Sequence, residues 1–260
     1  MRSPQGETVA VLTIPGMGFG EASPNGKLMA VDQPELSIVD LASGSAVPLA
    51  GSCRGSQPTW SPDSTRLVVI DTSDPYDFGS LFVLDPGSCT SVQVTHSRGI
   101  EQDPAWSPNG RWVAYASDEE SPMLGMTQLY LLDASCFMAN SCEGQSRRLQ
   151  PLPEDQWAAA PSWSPDSSQM AFVCGTGGSP TSVDLCLIDV NTGSSKPLVQ
   201  SQSDEQNPKW SPDGQWIGFT RVLPGGSQAA FIINVISGEE QRITPQGTSE
   251  WFSTWLTVPP

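Results

Sequence analysis

An all-β architecture of repeated four-stranded antiparallel units is the fold class that this sequence predicts. Three observations predict it: one motif recurs four times, Gly and Pro are abundant while charged residues make up only 15%, and the apolar runs are of strand length. An average soluble domain is about 25% charged, so long charge-laced helices are disfavoured. The 24 Gly and 24 Pro in 260 residues stay below the roughly 25–30% that marks low-complexity disorder, and 9 Trp with 37% apolar residues can fill a core.

The motif reads Pro58-Thr59-Trp60-Ser61-Pro62-Asp63, then Pro104-Ala105-Trp106-Ser107-Pro108-Asn109-Gly110, then Pro161-Ser162-Trp163-Ser164-Pro165-Asp166, then Pro208-Lys209-Trp210-Ser211-Pro212-Asp213-Gly214. A degenerate copy, Glu21-Ala22-Ser23-Pro24-Asn25-Gly26, precedes them, and Ser253-Thr254-Trp255-Leu256 resembles the opening of a sixth. The Trp-to-Trp steps of 46, 57, 47 and 45 residues fit the period of propeller blades. The long step carries an insertion bracketed by Cys136 and Cys142.

Each period reads as four short strands, A to D. In the unit at Trp210, strand A ends at Trp210-Ser211, Gln215 to Thr220 is strand B, Ala229 to Val235 strand C and Gln241 to Thr244 strand D. Strands B and C recur at Leu67–Ile70 and Leu81–Asp85, Trp112–Tyr115 and Leu129–Asp133, and Met170–Val173 and Leu185–Asp189. The motif itself is hairpin chemistry. Pro presets φ, Asp or Asn bonds the backbone two residues on, and Gly supplies positive φ. The Trp is expected to pack between neighbouring sheets, because such a unit cannot close a core alone.

The six cysteines, with a single histidine, show no zinc spacing and read as disulfides. Cys136–Cys142 can meet across a short loop, Cys174–Cys186 across a hairpin on facing strands, and Cys53–Cys89 pair by elimination. Such a framework implies an oxidising, extracytoplasmic location, periplasmic, cell-surface or secreted. The first residues, Met1 to Glu7, lack the apolar core of a secretory signal, which reads as a cytosolic chain or a mature or excised piece; the cysteines favour the second. No apolar run approaches the ~18 residues that cross a bilayer, so no membrane insertion of this segment is expected.

The phrase P-x-W-S-P-D-G, followed by an apolar strand and then an apolar strand ending in Asp, resembles the WD40-like PD40 repeat of TolB-like β-propellers, over about Phe19 to Trp255. The resemblance implies a six-bladed propeller of four-stranded antiparallel blades around a channel. The sequence departs from the repeat at Ala22, where Trp is expected, and at Ser64 and Ser167, where the turn Gly is expected. One domain spans 1–260, with repeat units at about 19–50, 57–95, 103–150, 160–200 and 207–244. Closing strands at 8–14 and 252–258 would build an incomplete sixth blade from both termini, which also protects open edges; a five-bladed propeller is the alternative.

Function classes narrow in the same way. With 12 basic against 28 acidic side chains and a net charge of −16, nucleic acid is not the expected partner. His96, the lone histidine, follows a strand and supports no Ser/His/Asp set, and no G-x-S-x-G elbow is present. Gly175 to Gly178 and Pro224 to Gly226 lack a P-loop lysine and read as hairpin loops. Asp63, Asn109, Asp166 and Asp213 belong to turns rather than to a cation series.

The informative positions precede strand A. Five residues before the motif Trp stand Gly55, Glu101, Ala158, Glu205 and Glu250, and three before stand Asp103 and Asn207. Asp155, Asp204, Glu154, Trp157 and Trp251 share these crossings. In a propeller they would border one mouth of the channel. The binding residues expected there are Glu101, Asp103, Asp155, Trp157, Glu205, Asn207, Glu250 and Trp251, with no catalytic residue and no dedicated metal ligand. An acidic mouth suits a basic peptide, an N-terminal amine or a divalent cation, with Trp as an apolar anchor. The expected function is non-catalytic protein interaction or ligand sensing within a larger envelope or signalling protein. The alternative is the propeller of an enzyme, either a peptidase gating domain or a carboxylate-based hydrolase or lyase.

Overall fold

The computed structural model describes residues 20–32, 35–49, 53–71, 79–96, 98–121, 125–139, 142–149, 156–176, 183–252 and 254–255. Five four-stranded antiparallel sheets, each pairing consecutive strands, make up this part of the chain. The first holds β1 (Gly20–Ala22), β2 (Leu28–Val31), β3 (Ser37–Asp40) and β4 (Ala46–Pro48). The second holds β5 (Ser56–Trp60), β6 (Leu67–Asp71), β7 (Ser80–Asp85) and β8 (Thr90–Gln93). The third holds β9 (Glu101–Trp106), β10 (Trp112–Ser117), β11 (Gln128–Asp133) and β12 (Ser146–Arg148), with α1 (Cys136–Ala139) before its last strand. The fourth holds β13 (Gln156–Trp163), β14 (Gln169–Thr176), β15 (Asp184–Asp189) and β16 (Ser195–Val199). The fifth holds β17 (Asp204–Trp210), β18 (Trp216–Val222), β19 (Gln228–Asn234) and β20 (Glu240–Arg242).

Two compact units divide the sheets, three before Asp155 and two after it. In the first unit the central strands are covered on both faces, so they read as unbroken apolar runs. Period-2 alternation sends Leu67 and Val69 with Trp60 and Leu84 to one cluster shared with Ala30 and Leu36 of the first sheet. Val68 and Ile70 go to the other, with Val113, Tyr115, Tyr130 and Leu132 of the third sheet. In the second unit Ala171, Val173, Leu185 and Leu187 meet Ile217, Phe219, Phe231 and Ile233.

Trp60, Trp106 and Trp210 serve this packing as expected. Trp60 is 2% exposed and its Nε1 donates to the Glu21 carbonyl of the preceding sheet at 3.0 Å. Trp106 packs edge-on against Phe137, at 5.4 Å between centroids, and Trp210 joins the cluster between the two sheets of the second unit. Each turn after strand A repeats one lock. The Ser61 hydroxyl donates to Asp63 at 2.5 Å, Asp63 accepts the Thr65 amide at 3.0 Å, and Ser61 accepts the Arg66 amide at 2.9 Å. Ser211 and Asp213 repeat all three bonds. Where Gly is missing, Ser64 and Ser167 adopt the same left-handed backbone, with φ of 61° and 60° against 75° at Gly110 and 70° at Gly214.

All three expected disulfides are formed, with Cα separations of 5.1 Å for Cys53–Cys89, 5.0 Å for Cys136–Cys142 and 5.9 Å for Cys174–Cys186. The Cys136–Cys142 insertion, expected as plain loop, contains the single helical turn α1.

The expected sixth blade is not confirmed: five blades stand among the described residues, the alternative reading. The closing strand at 8–14 lies outside the described residues. Of 252–258, residues 252, 254 and 255 are described and belong to no strand. They nevertheless sit on the fifth sheet as a following motif would. Trp255 Nε1 donates to the Lys209 carbonyl at 2.8 Å, the same relation that Trp60 has to Glu21. Phe252, 1% exposed, covers Gly218, where an added Cβ would come within 2.2 Å of its ring.

Candidate functional site

The crossings into strand A are built on a repeated irregularity. In β5, β9, β13 and β17 the register with the next strand shifts just before the motif Pro. The residue three before the Trp takes the left-handed conformation there: Gln57 (φ 52°), Asp103 (54°), Ala160 (49°) and Asn207 (51°). Such a bulge re-aims a side chain and increases local twist. Non-glycine residues in this conformation carry strain that the surrounding structure must hold.

In the first unit these bulges are tied to one another. Asp32 Oδ2 accepts the Gln57 amide at 2.9 Å, and Gln57 Oε1 accepts the Asp103 amide at 2.7 Å. Thr59 Oγ1 likewise accepts the Trp106 amide at 3.2 Å, and in the second unit Ser162 Oγ accepts the Trp210 amide at 3.1 Å. Side chains of one sheet thereby fix the backbone of the next. Gln57 and Asp32 were missed as site residues. The signal for Gln57 was available, since it stands at the same offset before the motif as Asp103 and Asn207.

The glutamates turn inward. Glu101 is 2% exposed, and its Oε2 accepts the Leu81 amide at 3.2 Å and the Thr95 hydroxyl. The Glu205 side chain is fully buried, and its Oε1 accepts the Ser201 hydroxyl and Arg221 Nε, each at 2.7 Å. Burial pushes the Glu205 carboxyl above its usual range, against the opposing pull of Ser201 and Arg221. Arg221 also forks onto Glu240 at 2.6 and 2.9 Å and lies over the Phe231 ring. These two carboxylates therefore tie strand A to the preceding sheet or to its own second strand. They are not presented to solvent.

The remaining expected residues divide as follows. Asp103 and Asn207 are half-buried at their bulges. Glu250 is half-buried, its amide donating to the Gln228 carbonyl at 3.1 Å, as the Glu205 amide does to Val183 at 2.8 Å. Trp157 lies over Gly175, where an added Cβ would come within 2.6 Å of the indole, and Trp251 is 37% exposed. Asp155 lies outside the described residues.

The turn carboxylates serve the backbone. The Ser61 and Ser164 hydroxyls hold Asp63 and Asp166 below the usual carboxylate range. At the ends of the third strands, Asp40, Asp85 and Asp189 are lowered chiefly by backbone amides three residues on. Among the described residues no three His, Cys, Asp or Glu side chains gather into a group able to hold a metal ion, and no helix is long and apolar enough to cross a membrane.

Comparison with known proteins agrees with this architecture. The profile of the dipeptidyl peptidase IV N-terminal region matches residues 179–255. An uncharacterized peptidase of Bacillus subtilis, YuxL, is 25% identical over 206 residues, taking in 65% of this chain and 29% of its own length. TolB from Acinetobacter baumannii superposes with a TM-score of 0.75 at 20% identity, covering 95% of this chain and 59% of that one. A putative TolB from Agrobacterium tumefaciens gives 0.72 at 16% identity, covering 96% and 93%. The chain thus spans under a third of the peptidase relative and about three-fifths of the Acinetobacter protein. Its fold is that of the TolB-like β-propellers, with four-stranded antiparallel blades.

Proposed function

We propose that this chain is a non-catalytic recognition module working outside the cytoplasm, the interaction part of a larger envelope or signalling protein. One observation carries the reading: a constant backbone step presents different chemistry in four of the five blades, namely Gln57, Asp103, Ala160 and Asn207. Constant geometry with variable side chains is what a display scaffold needs, and function lies in such grafted positions rather than in the fold. The three disulfides support an oxidising compartment. The sheet-to-sheet hydrogen bonds hold the crossings rigid, which lowers the ordering cost of binding.

With Glu101 and Glu205 committed internally, recognition in the second unit falls to Asn207, Glu250 and Trp251. Carboxylate and amide groups beside an exposed Trp suit a basic peptide segment with one apolar side chain. The test is the double variant Glu250→Gln and Trp251→Ala, titrated with octalysine and with partners captured from an extracytoplasmic extract. A loss of about tenfold or more in affinity (~1.4 kcal/mol) at unchanged melting temperature supports the proposal. Unchanged affinity removes the crossings from the account.

A second reading is favoured by the peptidase similarities: the chain as the propeller of a peptidase, gating access to a catalytic domain. A hydrolase domain in the same reading frame would decide for it.

A further inference from the structure

In the third blade, two arginines share one indole. The guanidinium of Arg111 lies 4.7 Å and that of Arg147 5.2 Å from the Trp112 ring centroid, so the two cations stand at most about 10 Å apart. Both arginines are exposed. Neither forms an ion pair among the described residues, although the chain has 28 carboxylates. The contrast is next door, where Arg148 reaches Glu120 at 3.9 Å. Asp133, the acid that feels Arg111, is engaged elsewhere: its Oδ1 accepts the Ser135 amide at 3.0 Å, and Ser135 does most to hold its carboxyl low.

A guanidinium stacked on an aromatic face keeps its N–H edge free for bidentate contact with a carboxylate. Stacking also removes part of the side-chain freedom that a solvated arginine would lose on binding. Arg147 lies on β12, the outer strand of its sheet, bonded to β11 alone among the described residues. The free edge of such a strand is a template for an extended chain. On an extended segment, alternate side chains share a face and repeat at about 6.6–6.8 Å, within the span of the two cations.

We propose that the Arg111–Trp112–Arg147 stack and the edge of β12 together bind an acidic peptide segment in extended conformation. The net charge of −16 works against its long-range approach. At physiological ionic strength, however, the Debye length is about 8 Å, so the paired contact outweighs distant repulsion. This surface is independent of the strand A crossings, so either can fail without the other.

The test uses hexaglutamate as the probe, with calorimetric titration of the intact chain. Binding should fall about threefold in Arg111→Gln and in Arg147→Gln and at least tenfold in the double variant. Arg242→Gln, which removes an arginine bonded to the Thr244 and Pro245 carbonyls, should bind as the parent does. Melting temperatures of all variants confirm folding. No binding by the parent, or equal binding by a folded double variant, overturns the proposal. So does tighter binding of oligogalacturonate through the same two arginines, which would make the ligand an acidic glycan.

Discussion

Glu101 and Glu205 occupy the same place in the repeat, five residues before the motif Trp, and both are buried, yet they are held by different chemistry. Across the ladder, Glu101 faces Ser117 and Glu205 faces Arg221. Among its described contacts Glu101 accepts from an amide and a hydroxyl, whereas Glu205 accepts from a hydroxyl and a guanidinium. The lesson is that a repeat fixes where a side chain goes, while the neighbouring strand decides what it costs to put it there. A charge held by neutral donors tolerates the loss of one donor; a buried charge held by its one cation does not.

Arg221→Leu should break the comparison most sharply. It leaves Glu205 buried opposite an apolar side chain, which costs about 3–5 kcal/mol at neutral pH. The sign of its pH dependence follows from the raised carboxyl. A carboxyl whose folded pKa lies above its unfolded one penalises the fold while ionised, and the penalty fades as pH falls through the folded value toward about 4.5. Denaturant melts should therefore show the Arg221→Leu deficit shrinking as the pH is lowered from neutrality toward about 4.5. The double variant Glu205→Leu/Arg221→Leu should recover most of the loss at pH 7. Glu101→Leu should cost only about 1–2 kcal/mol, because the Leu81 amide keeps Thr95 Oγ1 as an acceptor at 2.8 Å. A larger loss for Glu101→Leu than for Arg221→Leu would reverse the argument.

The same distinction explains what was legible in the sequence. The strands, the turns and the sheet-to-sheet role of Trp60 and Trp210 rest on local periodicity and turn chemistry, which each repeat spells out. The cysteine pairs were readable because Cys136 and Cys142 bracket a short loop and Cys174 and Cys186 flank a hairpin, which leaves Cys53 and Cys89 for each other. The fate of the glutamates was not. Three carboxylates at one offset on an acidic chain suggest a charged rim. The burial of two of them, Glu101 and Glu205, depends on Thr95, Ser201 and Arg221, which lie 4 to 16 residues away and carry no motif. The bulge at Gln57, Asp103, Ala160 and Asn207 was hidden for another reason. A residue preceding Pro is ordinarily extended, and none of these four is glycine.

Two equivalent tryptophans sharpen the point at smaller scale. Trp60 Nε1 has the Glu21 carbonyl as acceptor, while Trp210 Nε1 is buried with no hydrogen-bond partner among the described residues. Trp60→Phe therefore removes a bond as well as volume, at about 2 kcal/mol, and Trp210→Phe removes volume and relieves an unsatisfied donor, at about 1 kcal/mol or less. Urea midpoints of the two variants measure the difference. Equal losses would mean that the indole hydrogen bond adds nothing to the sheet contact.

The smallest effect isolates the backbone. At Gly110 an added Cβ would meet only Pro62 Cγ, at 3.8 Å, so Gly110→Ser tests the left-handed conformation without a clash. That conformation costs an L-residue about 1–2 kcal/mol, and losing glycine returns about 0.4–1 kcal/mol through a less disordered unfolded chain. The net loss should be about 0.5–1 kcal/mol. Ser64→Gly runs the exchange in reverse, but it also removes the exposed bond from the Asn25 amide to Ser64 Oγ at 3.2 Å. Its gain should accordingly be smaller than the loss at Gly110. If Gly110→Ser leaves the urea midpoint unchanged, the turn tolerates either residue, and the serines at 64 and 167 are substitutions without energetic consequence.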